Sequence, residues 1–233
     1  MVKRIFDLIM SGIGLLIFWP ILVAVGIAVW LQDFSSPLYV APRAGICGKP
    51  FRMVKIRSMI KHADRTGVAS TANADPRITK LGQFIRKYKI DELSQLWNVL
   101  SGDMSFVGPR PQVLSAVQTY TPGEQKLLLV RPGITDFSSI VFSDEGGILS
   151  GHPDPDAAYD DLIRPWKSRL GIFYVDHSCV SVDIQLIVLT IIAIFSRESA
   201  LKHVAKLLES LGADPELVST SRRDSDLRKV NLP

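Results

Sequence analysis

The sequence predicts a mostly helical α+β protein whose first helix belongs to a membrane. Three observations carry this. Residues 8–31 are apolar and carry no charge. Two short β patterns follow close behind, and most later apolar residues recur at helical spacing. The 233 residues are 47% hydrophobic and 21% charged, a composition that excludes disorder over most of the chain.

As one straight helix the apolar run is roughly 36 Å long, enough to cross a bilayer. It is too long for a cleaved signal peptide, and no small-x-small site follows it. Pro20 divides it in half, removing a backbone hydrogen bond in a place where only protein or water can replace it. Lys3 and Arg4 precede the run, and Arg43, Lys49, Arg52, Lys55, Arg57 and Lys61 follow it. A simple span puts one of these basic clusters on the wrong side under the positive-inside rule, whereas a helix that enters, kinks at Pro20 and returns keeps both on one face. The residues alone leave both arrangements open.

The rest reads as a soluble domain. Residues 38–42 and 51–56 are strands joined by a turn containing Gly45 and Gly48. Residues 61–76 are small and polar, a mobile loop. Ile78, Leu81, Ile85 and Tyr88 place a helix over 77–87, and Leu93, Leu96, Trp97 and Leu100 an apolar stripe on a second one over 91–100. Residues 184–195 are too few to span and form a buried or interfacial helix capped by Asp183, with Cys179 as a packing residue. From Ser199 a surface helix leads into a loose polar tail. The chain therefore divides into a membrane helix over 1–34, a soluble domain over 35–198, and a helix with tail over 199–233.

Composition excludes some functions. Cys47 and Cys179 make no disulfide framework, and the four histidines lack zinc spacing. The net charge of +4 and pI near 9.1 suit a membrane surface, a phosphorylated substrate or nucleic acid equally. The basic stretch 43–61, however, has little aromatic interleaving and matches no nucleic-acid module, so no nucleic-acid partner is expected.

Asp91 and Glu92 open the second helix, where free N–H groups and the dipole favour an ionised carboxylate. Such an Asp serves as a nucleophile or holds a divalent cation, or is simply a cap. Arg110, between Pro109 and Pro111, is fixed in a way that suits a phosphate ligand. Lys55 and Arg57 leave the second strand on one face, and Arg86 and Lys89 precede the acidic pair. Cations gathered on a carboxylate pair beside a membrane imply a phosphorylated substrate and a metal.

These residues match a known family. DELSQLWNVLSGDMSFVGPRP (91–111) resembles the signature of the bacterial sugar transferases, the small monotopic phosphoglycosyl transferases. RAGICGKPFRMVKIRSM (43–59), the apolar opening (3–31) and RPGIT (131–135) resemble further motifs of that family in the same order. The resemblance implies transfer of a sugar-1-phosphate from a UDP-sugar to polyprenyl (undecaprenyl) phosphate, with Mg²⁺, releasing UMP. Asp91 would attack the phosphate nearer the sugar and carry a covalent phosphosugar, with Glu92 assisting and both carboxylates serving the metal. Arg110, Lys55, Arg57 and Arg86 would hold phosphate. It also implies the re-entrant hairpin at Pro20, with the catalytic domain on the cytoplasmic face of a bacterial inner membrane.

The chain departs from the family at three places: Ser94 stands for a usual Pro, Asp136–Phe137 for Gly–Trp, and Trp19 for the Ser before the hairpin proline. The Asp136–Ile140 region and the insert 143–161 would touch the nucleotide sugar. A homodimer suits a membrane-surface enzyme, but no residue demands one. The rival reading is a membrane-tethered, non-enzymatic protein that binds anionic lipid or nucleic acid.

Overall fold

The computed structural model describes residues 2–63, 75–150, 152–224 and 227–233; most of the loop expected over 61–76 lies outside these. The fold is mostly helical, as the sequence predicts, and beside the expected hairpin it has a second small sheet that the sequence did not announce.

Helix α1 (Val2–Leu31) contains Pro20, and its helical backbone runs on through it. Its outer side is apolar and exposed at Ile9, Leu16, Ile17, Trp19 and Ile27, while Asp7, Ser11 and Val29 are buried. Both of its halves are fastened to the domain. Lys3 donates to the Val107 carbonyl (3.1 Å) and the Asp183 carboxylate (2.6 Å). Arg4 donates to the carbonyls of Val99 (2.7 Å) and Leu100 (3.1 Å). Asp7 accepts from the Ser105 hydroxyl (3.0 Å) and the Phe106 N–H (3.1 Å). Further along, Leu22, Val25 and Val29 pack with Ile56 and Ile85.

Strands β1 (Leu38–Ala44) and β2 (Pro50–Ile56) form the expected antiparallel ribbon, with Tyr39 opposite Lys55. Cys47 (φ 55°) and Gly48 (φ 72°) take the left-handed conformation that closes its turn. Helix α2 (Lys80–Lys87) starts at Thr79, whose hydroxyl accepts the Gly82 N–H (2.9 Å).

The helix expected over 91–100 is in fact two short ones, α3 (Ile90–Leu93) and α4 (Leu96–Ser101). The break rotates the face, so the expected Leu/Trp stripe forms only in part. Leu96 is buried, together with Glu92, Gln95, Asn98 and Val99, but Trp97 is 60% exposed.

Strand β3 (Ser105–Val107) precedes helix α5 (Leu114–Gln118) and pairs in parallel with β4 (Gly133–Thr135), the RPGIT segment. A Cβ at Gly133 would collide with the Gly108 backbone, which explains the motif's glycine. Gly133→Ala is therefore expected to lower unfolding stability by about 3 kcal/mol in a denaturant titration. Gly12→Ala, on α1 with open space around it, should leave it unchanged.

Helices α6 (Phe137–Val141), α7 (Glu145–Leu149), α8 (Pro155–Ala158), α9 (Arg164–His177), α10 (Val180–Phe195), α11 (Arg197–Ser210) and α12 (Pro215–Arg222) build the main core around Phe137, Trp166, Leu186 and Leu208. Asp136 and Ser139 cap α6 reciprocally.

Three sequence expectations need correction here. Asp183 does not cap α10, which begins at Val180; it is fully buried and accepts from Lys3 and from the Tyr174 hydroxyl (2.6 Å). Cys179 is exposed rather than packed. Helix α11 is the expected surface helix, with Ala200, Leu201, Val204, Ala205 and Leu208 as its buried stripe, but the tail is not loose: the Trp166 Nε1–H donates to the Arg228 carbonyl (2.9 Å). Helix α10 is both buried and exposed: Leu186 and Leu189 face the core, and Ile184, Val188, Ile191 and Phe195 face outward.

Candidate active site

Asp91 and Glu92 sit on the single turn of α3, entered from Lys89 in the left-handed conformation (φ 53°). Both are 7% exposed. Lys55 reaches them from β2, its Nζ 3.5 Å from Glu92 Oε1 and 3.9 Å from Asp91 Oδ2. Arg110, held in its Pro-Arg-Pro frame, places Nη2 2.6 Å from the same Glu92 Oε1. Glu92 is thus gripped by two cations, and Asp91 is only approached by one.

This asymmetry separates the two carboxyls. Burial opposes ionisation of Glu92, but the Arg110 charge, with Lys55 and Lys89, outweighs it and holds the carboxyl far below the usual range. Burial pushes the Asp91 carboxyl up; Lys55 counters in part, and the Glu92 charge adds to the rise. Burial, with Arg110 nearby, also lowers the Lys55 ammonium against the pull of the carboxylates. Neighbouring acids driven apart in this way mark sites of chemistry more often than plain caps.

Sequence reasoning missed the residue that aligns these groups. Asn98 of α4 accepts the Val54 N–H (2.9 Å) and donates to the Arg52 carbonyl (2.8 Å), so its amide serves as a third strand along the edge of β2. A two-stranded ribbon is marginal by itself; Asn98 docks it and fixes Lys55 between its two contacts' strand and α3. Ser94, in the family's proline position, helps by donating to the carbonyls of Asp91 (3.0 Å) and Val54 (3.3 Å). The only sequence signal was the seven-residue spacing from Asp91 to Asn98, two helical turns.

The other predicted cations are placed differently. Arg57 pairs with Asp33, just beyond α1, at 2.5 and 2.6 Å, and does not join the carboxylate pair. That hydrogen-bonded pairing pulls the Asp33 carboxyl down to about 2. Arg86 is exposed and forms no ion pair among the described residues, yet its charge helps lower the Asp91 carboxyl.

Beyond Arg110 a cleft opens to solvent. Arg110, Tyr120, Glu124, Tyr159, Arg164 and Lys167 lie along its wall. Asp136, Ser138 and Asp160, from the regions expected to meet a nucleotide sugar, also line it. Glu124 is fully buried and accepts from Arg164 (2.8 and 3.0 Å) and the Ser168 hydroxyl (2.8 Å). Arg164 lies 6.0 Å from the Tyr120 ring and Lys167 5.3 Å from that of Tyr159. Cationic side chains laid on aromatic rings give a surface for a flat or sugar-like group next to an anion.

Fold and site together define a helical domain joined to an apolar helix, with carboxylates and cations arranged for phosphate chemistry. The chain belongs to the bacterial sugar transferase family, whose model matches residues 1–197. It is 36% identical over 209 residues to the undecaprenyl-phosphate glucose phosphotransferase of Komagataeibacter xylinus, covering 84% of this chain and 36% of that protein. It is 31% identical over 208 residues to the UDP-glucose:undecaprenyl-phosphate glucose-1-phosphate transferase of Xanthomonas campestris pv. campestris, covering 85% of this chain and 40% of the relative. An uncharacterized sugar transferase, EpsL of Bacillus subtilis, is 34% identical over 190 residues, covering 81% of this chain and 85% of its own length. The chain thus spans about two fifths or less of the length of the first two relatives.

Proposed function

We propose that this chain transfers a sugar-1-phosphate from a UDP-sugar to undecaprenyl phosphate, releasing UMP, through a covalent phosphosugar on Asp91. The observation that carries the reading is the unequal treatment of the two carboxylates. Glu92 is committed to Arg110 and Lys55, while Asp91 has, among the described residues, no cation closer than 3.9 Å and keeps an oxygen for attack.

In the first step an Asp91 oxygen attacks the phosphorus nearer the sugar. A new O–P bond forms, the bond to the bridging oxygen breaks, and UMP leaves with that oxygen's electron pair. In the second step an oxygen of the lipid phosphate attacks the same phosphorus. The acyl phosphate bond breaks, Asp91 returns as carboxylate, and the sugar leaves on a lipid diphosphate. Neither step needs a net proton transfer, so charge neutralisation and alignment are the main demands. Arg110 and Lys55 meet them, and the cleft beyond Arg110 offers the donor a seat beside these groups.

Among the described residues no three His, Cys, Asp or Glu side chains gather into a metal cage. Magnesium asks for less, one or two carboxylates with water and substrate phosphate. The free oxygens of Asp91 and Glu92 fit that role. Bound there, Mg²⁺ would neutralise charge on the diphosphate.

The membrane part of the reading is a re-entrant helix, with the domain on the cytoplasmic face of the inner membrane. A crossing helix carries its ends to opposite sides, yet Lys3–Asp7 and Leu22–Val29 both attach to one domain. The outward apolar residues of α10 extend the surface available to lipid. The topology is tested with Val2→Cys in a chain whose Cys47 and Cys179 are replaced by Ser. A membrane-impermeant maleimide should label position 2 only after permeabilisation; labelling in intact cells would mean a full span. The reaction is tested by UMP release from purified protein with Mg²⁺, undecaprenyl phosphate and a panel of UDP-sugars. Release with one sugar names the donor, and silence with all of them counts against the assignment.

A further inference from the structure

Residues 227–233 touch two of the stretches that wall the cleft, 121–123 and 161–166. The Trp166 Nε1–H of α9 donates to the Arg228 carbonyl (2.9 Å). The Lys229 ammonium pairs with Asp161, in the π turn Tyr159–Ile163. The Thr121 hydroxyl donates to the Pro233 carbonyl. Leu227 and Val230 pack on the main core. At Gly123 the approach is so close that a Cβ there would collide with the Pro233 backbone.

The Thr121 contact leads inward. Thr121 and Glu124 bond reciprocally, each side chain accepting the other's N–H (3.1 and 3.0 Å). Glu124 in turn holds Arg164 and Ser168 at the cleft. One short segment thereby ties together the elements that carry Tyr120, Tyr159, Arg164 and Lys167. A π turn in one wall fits this picture, since such turns are most frequent at functional sites. The segment lies beyond residues 1–197, which the family model covers.

We propose that residues 227–233 are a positioning strap for the donor cleft. They set the separation between the Tyr120 wall and the Tyr159–Lys167 wall, and so set affinity for the nucleotide sugar. The inference rests on the reading of that cleft as the donor's seat. Among the described residues the strap makes no hydrogen bond or ion pair with Asp91, Glu92 or Lys55, so loosening it acts on donor binding and not on the chemical step.

The test uses two single variants of the full chain. Gly123→Ala displaces Pro233, and because Gly123 has right-handed helical angles (φ −67°, ψ −47°), alanine suits its own backbone. Lys229→Glu opposes Asp161 at the other end of the strap. In each, the donor KM and the UMP Kd are expected to rise about five- to tenfold, the equivalent of one or two hydrogen bonds. The kcat and the KM for undecaprenyl phosphate should stay within about twofold, a split that general destabilisation does not produce. Hydrogen exchange of the ligand-free protein over 119–129 and 159–168 should be faster in both variants. Unchanged donor KM and UMP Kd would overturn the proposal. If the wild type binds neither UMP nor any UDP-sugar, the donor reading fails by itself. Exchange then still decides whether the strap positions these walls: faster exchange supports it, and unchanged exchange removes it.

Discussion

Asp91→Asn is expected to cut UMP release by more than about 1,000-fold while raising thermal stability at neutral pH. The first effect follows from losing the proposed nucleophile with its shape kept. The second follows from its environment. Burial holds the Asp91 carboxyl above the ordinary range, so between its unfolded and folded values the native state binds more proton than the unfolded one. Stability then falls as pH rises through that window, and at neutral pH the ionised carboxylate weakens the fold. Asparagine removes the charge. The melting temperature should rise by about 2–4 °C per kcal/mol regained, and the gain should vanish below the ordinary aspartate range. Calorimetry at pH 7 and pH 3 checks both halves. A variant that is inactive and also less stable at pH 7 would mean that Asp91 is structural.

Arg110→Ala is expected to lower kcat by about 100- to 1,000-fold, the effect of removing one preorganised charge donor from a transition state. Arg110→Lys should recover only part of this, because an ammonium cannot span Glu92 and a phosphate as a planar guanidinium does. The pH profile supplies the more specific sign. With Arg110 present, Glu92 stays ionised far into acid. Its contribution to stability is present above the ordinary glutamate range and is lost as pH falls toward the depressed folded value. Without Arg110, burial acts on a carboxyl held mainly by Lys55, so it titrates at higher pH and the acid limb of kcat should move up. An unmoved limb with a normal rate would take Arg110 out of the site.

How far the sequence reached depends on the range of the interaction. The β1–β2 ribbon and α2 follow from local period and turn chemistry, and both formed where that chemistry placed them. Lys55, Glu92 and Arg110 meet because each belongs to a rigid local motif and the motifs pack together. Arg57 shares a strand face with Lys55, but its partner is an aspartate 24 residues earlier, a choice made by the docking of α1. Trp97 was misplaced because a two-residue break between α3 and α4 turns the helix face, and no period computed over an unbroken helix carries that information. The stripe on α11, by contrast, was present in the sequence, hidden among charged neighbours. The cleft joins residues from 110 to 168, and such a meeting is set only by tertiary packing.

The fastening of α1 reaches further than topology. Without it, Asp183 would lose the ammonium of Lys3 while still buried, and isolating one member of such a pair costs about 3–5 kcal/mol. The Ser105 hydroxyl and the Phe106 N–H would lose Asp7, and the end of α4 would lose the cap that Arg4 provides. These losses fall on β3 and α4, which carry the chain from Asn98 toward Arg110. Lipid anchor and catalytic body are one folding unit: trimming the apolar helix to obtain a water-soluble fragment would take away part of the core rather than a leash.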